Sequence, residues 1–454
     1  MTSRIHWFLA LVALWSLVPA SLAAQGDTTA RPGVRIGLSY DLNSRPGIAV
    51  LPVRGGERPV TDSVRAILQR DFDNGDRITI VGFNEADLPL VSGTPNFEVF
   101  ERMNVHRIVQ ATLTPGGALH VALYDVRAKQ PANVDNFPLS TNVFSPAWRQ
   151  GIHRAADEIE RWATGVQGIS ATRIAFVRND QIWQVDSDGE NATPVRGTAG
   201  GRSPAWHPGG QYLAFNVLTD AGSQIALHDG FSGATQRLTS TTSGTSGSPM
   251  FSPDGMTLFY SFGLDRGSDL WALDPFRGGR PRRVTAGGGS ENISPSFSPD
   301  GRRFAFTSGR LINPEVYIAD VDGTNVDLLI TSGTGDQSYR SNPAWSPDGR
   351  QIAFQSMVDG RFQLMVISLQ NRAVKVLTSE SQNEDPSWAP DGRHIVFTSR
   401  RSGSDQLWVL DSESGRYRQL TRGSGAAKHG AWSPALRGEP APMGTLITPD
   451  RRER

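Results

Sequence analysis

The sequence has no cysteine in its 454 residues. That excludes disulfide staples, cysteine-ligated zinc and a cysteine-borne lipid anchor. Net charge is missing too: 45 basic residues offset 45 acidic ones, so there is no concentrated positive field for nucleic acid. The eight histidines are scattered, with no His-Glu-x-x-His spacing, and they point to no metal site. No Gly-x-Ser-x-Gly pentapeptide occurs, so the nucleophile elbow of an α/β-hydrolase is absent. The nearest approach, Gly244-Thr245-Ser246-Gly247, reads as a linker between strands. Nothing in the spacing demands catalysis, a cofactor or a metal.

Long apolar runs are lacking after the first 24 residues. Arg4, an apolar core from Phe8 to Val18, and the small residues before Ala24 read as a signal peptide. The run ends at Pro19 and falls short of the ~20 residues that a membrane span needs. The expectation is an exported protein, soluble after cleavage and not membrane-spanning.

What the sequence has in abundance is a repeat. Asn342-Pro343-Ala344-Trp345-Ser346-Pro347-Asp348-Gly349 recurs as SPAWHPGG at 203–210, SPMFSPDG at 248–255, SPSFSPDG at 294–301 and DPSWAPDG at 385–392. A broken copy stands at 430–436. A period of roughly 40–50 residues with strand-type contents marks propeller blades. Pro-Asp-Gly is turn chemistry, because Pro fixes φ and Gly takes the left-handed position. The block is therefore a hairpin device rather than an active site. Strands such as Gln351–Gln355 and His394–Thr398 carry consecutive apolar residues, as strands buried on both faces do. The segments Asp186–Gly189 and Asp320–Gly323 read as hairpin turns and not as calcium loops, which need further ligands.

Five periods are complete from their block onward. Before them, residues 173–177, 181–186 and 193–196 supply three strands of another blade, and the orphan GAWSP at 430–434 supplies its missing strand. A six-bladed propeller over 170–436, closed by a C-terminal strand, is expected. Residues 47–165 change to a mixed pattern and predict a small α/β domain. It has strands near Ile48–Val53 and Arg77–Val81, and a helical face of Val64, Ile67, Leu68 and Phe72. A hairpin turns at Pro115-Gly116-Gly117. A closing helix is capped by Ser145, with Pro146 at its first position. Residues 25–46 read as a flexible arm and 437–454 as a disordered basic tail. Glu384, Asp385 and Asp336 precede blade-opening strands, either lining a channel mouth or standing as solvated loop charges.

The order of parts resembles the TolB family. The marks are the blade blocks, the ending Lys428-His429-Gly430-Ala431-Trp432-Ser433-Pro434, and Val34-Arg35-Ile36 leading into Arg45-Pro46-Gly47-Ile48-Ala49-Val50. The resemblance covers about Val34 to Leu436. It implies a non-enzymatic periplasmic component of the Tol–Pal system, serving outer-membrane integrity and constriction at cell division, with colicin import in relatives. It further implies an arm that engages a TolA-like inner-membrane protein, through Val34, Arg35, Ile36 and Leu38, and a rim that binds the Pal lipoprotein. The rim loops map onto Thr245, Ser246, Gly247, Asn292, Ile293, Glu384 and His429. An α/β domain somewhat short for the family, a Gly/Ser-rich rim and the extra basic tail are departures. The competing function is an exported propeller holding a small molecule or glycan in its channel, which would need neither arm nor α/β domain.

Overall fold

The computed structural model describes residues 45–82, 95–220, 222–240, 244–264, 267–286, 290–330 and 339–436. The expected signal peptide, the arm residues Val34, Arg35, Ile36 and Leu38, Asp336 and the basic tail lie outside the described residues.

The first part is an α/β layer pair. Strands β1 (Gly47–Val50), β2 (Thr79–Val81), β3 (Arg107–Leu113), β4 (Ala118–Asp125) and β5 (Gln130–Pro138) form one sheet in the order β2-β1-β3-β4-β5. β1 runs parallel to both β2 and β3. Helices α1 (Arg58–Asn74) and α3 (Pro146–Thr164) cover one face, and the short α2 (Phe97–Arg102) lies on the other. Val64, Ile67, Leu68 and Phe72 meet Trp148, Ile152 and Ile159 over Ile48, Val50 and Val109. Ser145 caps α3 as expected, accepting from the Trp148 N–H at 3.2 Å, and Gly165 ends it at φ 79°. β5 was not expected. Its prolines, Pro131 and Pro138, hide the alternation of a strand, and they sit on the sheet's edge, where a missing N–H costs no ladder bond.

The second part is a β-propeller. Its strands are β6 (Arg173–Arg178), β7 (Gln181–Asp186) and β8 (Thr193–Ala199), then β9 (Gly201–Trp206), β10 (Tyr212–Thr219), β11 (Gly222–Asp229) and β12 (Thr235–Arg237). Next come β13 (Thr245–Phe251), β14 (Leu258–Leu264), β15 (Gly267–Leu273) and β16 (Arg282–Arg283). β17 (Asn292–Phe297), β18 (Arg303–Ser308), β19 (Glu315–Asp320) and β20 (Asp327–Leu328) follow. The last are β21 (Arg340–Trp345), β22 (Gln351–Val358), β23 (Arg361–Ser368), β24 (Val374–Val376), β25 (Asn383–Trp388), β26 (His394–Ser399), β27 (Gln406–Asp411), β28 (Tyr417–Gln419) and β29 (Lys428–Trp432).

Four of these sheets are separate and four-stranded: β17–β20, β21–β24, β25–β28, and β29-β6-β7-β8. The other two periods merge into one eight-stranded sheet, joined by the single parallel pair Ser223–Thr245. Six separate sheets are therefore not seen. The closing strand is present: β29 pairs antiparallel with β6, and Trp432 Nε1 donates to Thr172 Oγ1 at 2.8 Å. Around the axis β9 packs on β13, β13 on β17, β17 on β21, β21 on β25, β25 on β29, and β29 on β9. Apolar side chains fill the space between neighbouring sheets, as where Ile182 and Val177 meet Phe215 and Leu213.

The repeated block is the hairpin device the sequence predicts. Ser346 Oγ donates to Asp348 Oδ1 at 2.5 Å and accepts from Gln351 N at 2.9 Å, while Asp348 accepts from Arg350 N at 3.0 Å. Gly349 closes the turn at φ 75°, a conformation that costs glycine nothing.

Candidate functional site

Antiparallel strands give the propeller two ends with different connections. The Ser-Pro-Asp-Gly turns and the β7–β8 and β27–β28 turns lie at one end, and the α/β layer packs on part of it, against the β7–β8, β25–β26 and β27–β28 turns. Arg149 Nη2 reaches Asp188 at 2.5 Å, and Arg70 reaches Asp188 and Glu190 at 3.4 and 3.0 Å. Arg77 reaches Asp391 at 3.3 Å, and Arg416 reaches Asp73 and Asp76 at 2.8 and 3.0 Å. Asp157 of α3 accepts the backbone N–H of Ser170 and Ala171 at 2.6 and 2.9 Å. Two His–Asp trios converge here, Asp71-His153-Asp188 and Asp76-His394-Asp411. Arginines already balance both, with Arg149 on Asp188 and Arg393 on Asp411.

The opposite end carries the β10–β11, β14–β15, β18–β19 and β22–β23 connections. Their tips expose Leu218, Leu264, Leu311, Ile312 and Val358, with Ile312 at 82 %. Large apolar side chains gathered on one face mark an interaction surface more often than an accident. Nearer the axis, each innermost strand begins at this end and is bulged, in five of them immediately before the block proline and in β29 before Gly430. The bulged residues Ser203, Ser248, Ser294, Asn342, Asp385 and His429 all take a positive φ, between 46° and 55°. Five of them precede a proline, which pushes a residue toward extended backbone, and His429 precedes Gly430; a left-handed residue other than glycine stores strain of roughly 1–3 kcal/mol.

Four of these side chains join into an arc. Ser294 Oγ bonds Asn342 Oδ1 at 2.9 Å, Asn342 Nδ2 donates to Asp385 Oδ1 at 2.7 Å, and His429 Nδ1 meets Asp385 Oδ2 at 3.0 Å. Burial would raise the Asp385 carboxyl, but His429 and the bonds from Asn342 and Thr398 hold it below its ordinary value. The charge of Asp385 raises His429, against burial. Beside the arc lies a cavity of about 190 Å³ lined by Glu291, Ile293, Thr307, Tyr339, Asn342 and Phe362.

The rim residues expected from the sequence belong to this end, though not to loops. Thr245, Ser246 and Gly247 open β13, Asn292 and Ile293 open β17, Glu384 stands in β25 and His429 in β29. Ser246 and Asn292 are wholly buried. Asn292 Nδ2 is committed to Asp269 at 3.0 Å. Thr245 is exposed, and Gly247, Ile293, Glu384 and His429 are half-exposed. Asp385, left open between channel mouth and solvent, is at the mouth and paired. Asn342 was read only as part of a turn block. The signal that marks it is the small or polar residue, Ser, Asn or Asp, before every block proline, with His429 at the matching place before Gly430.

A closed ring of strand repeats with an α/β layer packed on one end defines a class, the β-propellers that carry an accessory α/β domain. Residues 161–436 match the family described as TolB beta propeller domain, and the chain belongs to the TolB family. Among curated relatives, the Tol-Pal system protein TolB of Bordetella pertussis is 29% identical over 208 residues, 44% of this chain and 47% of that protein. The match thus spans about half the length of the curated relatives. TolB from Acinetobacter baumannii shares the fold, with TM-score 0.73 at 24% identity over 86% of this chain and 97% of that one. Hydrazine synthase of Kuenenia stuttgartiensis shares the propeller at TM-score 0.51 and 15% identity, over 62% of this chain and 49% of that one.

Proposed function

We propose that this chain is a periplasmic scaffold of a Tol–Pal system, without chemistry of its own. In this reading it is exported with its signal peptide removed. The arm at 25–46 engages a TolA-like inner-membrane protein through Val34, Arg35, Ile36 and Leu38, adding a strand to the partner's sheet edge. The domain over 47–165 sits on a ring over 170–436, and the eight-stranded sheet counts as two blades of six. The free end receives the Pal lipoprotein, and the pair serves outer-membrane integrity and constriction at division. The observation that carries this is the contrast between the ends: one holds the α/β layer on its β7–β8, β25–β26 and β27–β28 turns, while the other exposes Leu218, Leu264, Leu311 and Ile312 around a strained polar mouth.

Within that rim, Thr245, Gly247, Ile293, Glu384 and His429 are the contacts, and buried Ser246 and Asn292 hold the strands that present them. The family name of the relatives supports the same system. Among the described residues no helix is long and apolar enough to cross a membrane. The second reading, a small polar ligand at the mouth, draws on the cavity beside Asn342.

A pull-down from solubilised envelope tests the scaffold, using the mature chain beside one lacking residues 25–46. Both baits should retain a peptidoglycan-associated lipoprotein, and only the longer one an inner-membrane protein. If neither bait holds an envelope protein, the scaffold reading fails and the channel ligand takes its place.

A further inference from the structure

The seam between the α/β layer and the propeller buries an unusual number of groups that exchange protons. His394 opens β26 with its side chain 1% exposed, between Asp391 of its own turn at 2.7 Å and Asp76 of the α/β layer at 3.3 Å. Arg77 bridges Glu160 of α3 and Asp391 at 3.6 and 3.3 Å. Arg393 donates to Asp411 at 2.5 Å and to the backbone carbonyl of Asp76 at 3.2 Å. Asp76 also meets Arg416 and Arg45 at 3.0 and 3.5 Å, and Arg416 reaches Asp73. Farther along, His153 of α3 bonds Asp71 of α1 at 2.7 Å and faces Asp186 and Asp188 of the propeller.

We propose that this seam is a proton-linked clasp: the α/β layer docks on the propeller with uptake of protons and is released as they are lost. The inference is independent of which partner binds the free end.

The geometry requires the protons. A neutral imidazole at His394 could donate to only one of the two carboxylates that grip it, and the other would lose that donor and keep only its arginines as counter-charges, Arg77 on Asp391 or Arg416 and Arg45 on Asp76. The charges of Asp157 and Asp391 act against ionised Glu160, and those of Arg77 and His394 favour it. Burial lowers His394, yet its bonds to Asp391 and Asp76 and their charges raise it to about 9. Burial, then the charge of Asp157, pushes Glu160 up to about 8. Burial likewise raises Asp157 to about 7, against its two backbone donors. At His153 the carboxylate of Asp71 overcomes burial and raises the imidazole to about 9.

The signs agree. Asp391 stays with His394 on the propeller, so docking gains only the share that Asp76 supplies; that share is present while the imidazole is protonated and disappears as pH rises through about 9. The cost of holding Glu160 in the seam grows as pH rises from its ordinary value near 4.5 to about 8. Asp391 and Asp411 are held well below the usual carboxylate range by His394, Arg393 and Ser414 of the propeller, so they stay ionised throughout the interval in which His394 and Glu160 titrate. Each proton taken up makes the docking constant fall on the order of tenfold per pH unit.

Because the chain has no native cysteine, a spin-label pair at Ala128→Cys and Arg280→Cys reports the two parts alone. Both positions are exposed. Pulsed distance measurements on the full chain from pH 6 to 9.5 should show one distance at pH 6 and a second population growing above about pH 7.5. Glu160→Gln, neutral at every pH, should delay that growth to higher pH, although it removes a carboxylate that faces Arg77. His394→Gln should show the second population already at pH 6 and a shallower pH dependence. An unchanged distribution up to pH 9.5, or Glu160→Gln behaving as the parent, would overturn the clasp. So would loss of the tryptophan circular dichroism over the same interval, since the molecule would then be unfolding and not parting.

Discussion

The two ends of the propeller are made from one repeat and have become opposites. At the covered end the turns hold salt bridges whose acids are almost free of water, such as Asp188 and Asp411 at 0% side-chain exposure. Buried pairs add little net stability, but losing one partner is costly, because a desolvated charge is left behind. At the free end the connections carry exposed leucines and isoleucine, and the strands start with six left-handed bulges. Features of that kind cost stability and persist where surrounding structure enforces them. The lesson is that the covered end is built for fixed geometry and the free end for contact. Substitutions should therefore separate fold from binding according to the end they touch.

The largest expected effect tests the frame that both ends share. Trp432→Ala removes the ring that packs the closing strand and its bond to Thr172. It should cost about 3–5 kcal/mol in urea unfolding of the full chain. An effect below about 1 kcal/mol would show that closure through β29 does not hold the ring. Next comes Arg393→Ala at the covered end. It strands Asp411 without water or counter-charge, at a cost of about 3 kcal/mol. The same carboxylates give this end an acid limit. Asp391 and Asp411 lie below their ordinary values, so the stability they supply is present above about pH 4 and lost as pH falls further. Urea midpoints compared at pH 6 and 3.5 check this, and Arg393→Ala should narrow the difference.

At the free end the expectation reverses. Leu311→Ser with Ile312→Ser changes two exposed tips and should leave stability within about 0.5 kcal/mol. Partner capture in the envelope pull-down should fall on the order of tenfold, about 1.4 kcal/mol. Capture at the parental level would move the binding surface away from these tips.

How legible this was depends on distance along the chain. The Ser-Pro-Asp-Gly turns, the Ser145 cap and the closing strand are local or periodic signals, and each was readable. Strand β5 was not, because Pro131 and Pro138 suppress the alternation that marks a strand, and edge position permits them. The merging of two blades was hidden as well, since it rests on one residue pair, Ser223–Thr245. At the covered end the closing helix could be expected to pack between the two parts, but its individual pairings could not be read. Asp76 and His394 stand 318 positions apart, and no spacing rule links an aspartate after a helix to a histidine opening a distant strand. The expected rim residues were placed at the correct end but in loops, and burial removes Ser246 and Asn292 from direct contact.

The smallest expected effect bears on the bulges themselves. Ser248 holds φ 46° before Pro249, where a side chain costs roughly 1–2 kcal/mol relative to right-handed backbone. Glycine removes that cost and loses about 0.5–1 kcal/mol to its freer unfolded chain. Ser248→Gly should therefore raise stability by a few tenths to about 1 kcal/mol in thermal unfolding. The same change at Asn342 also removes the bonds to Ser294 and Asp385 and should not stabilise. If Ser248→Gly destabilises the chain, the serine makes a contribution at the mouth that outweighs its strain. In that case the ring of bulged residues is held by side-chain bonding all the way round, rather than by the bulged ladder on the serine side and by the arc on the other.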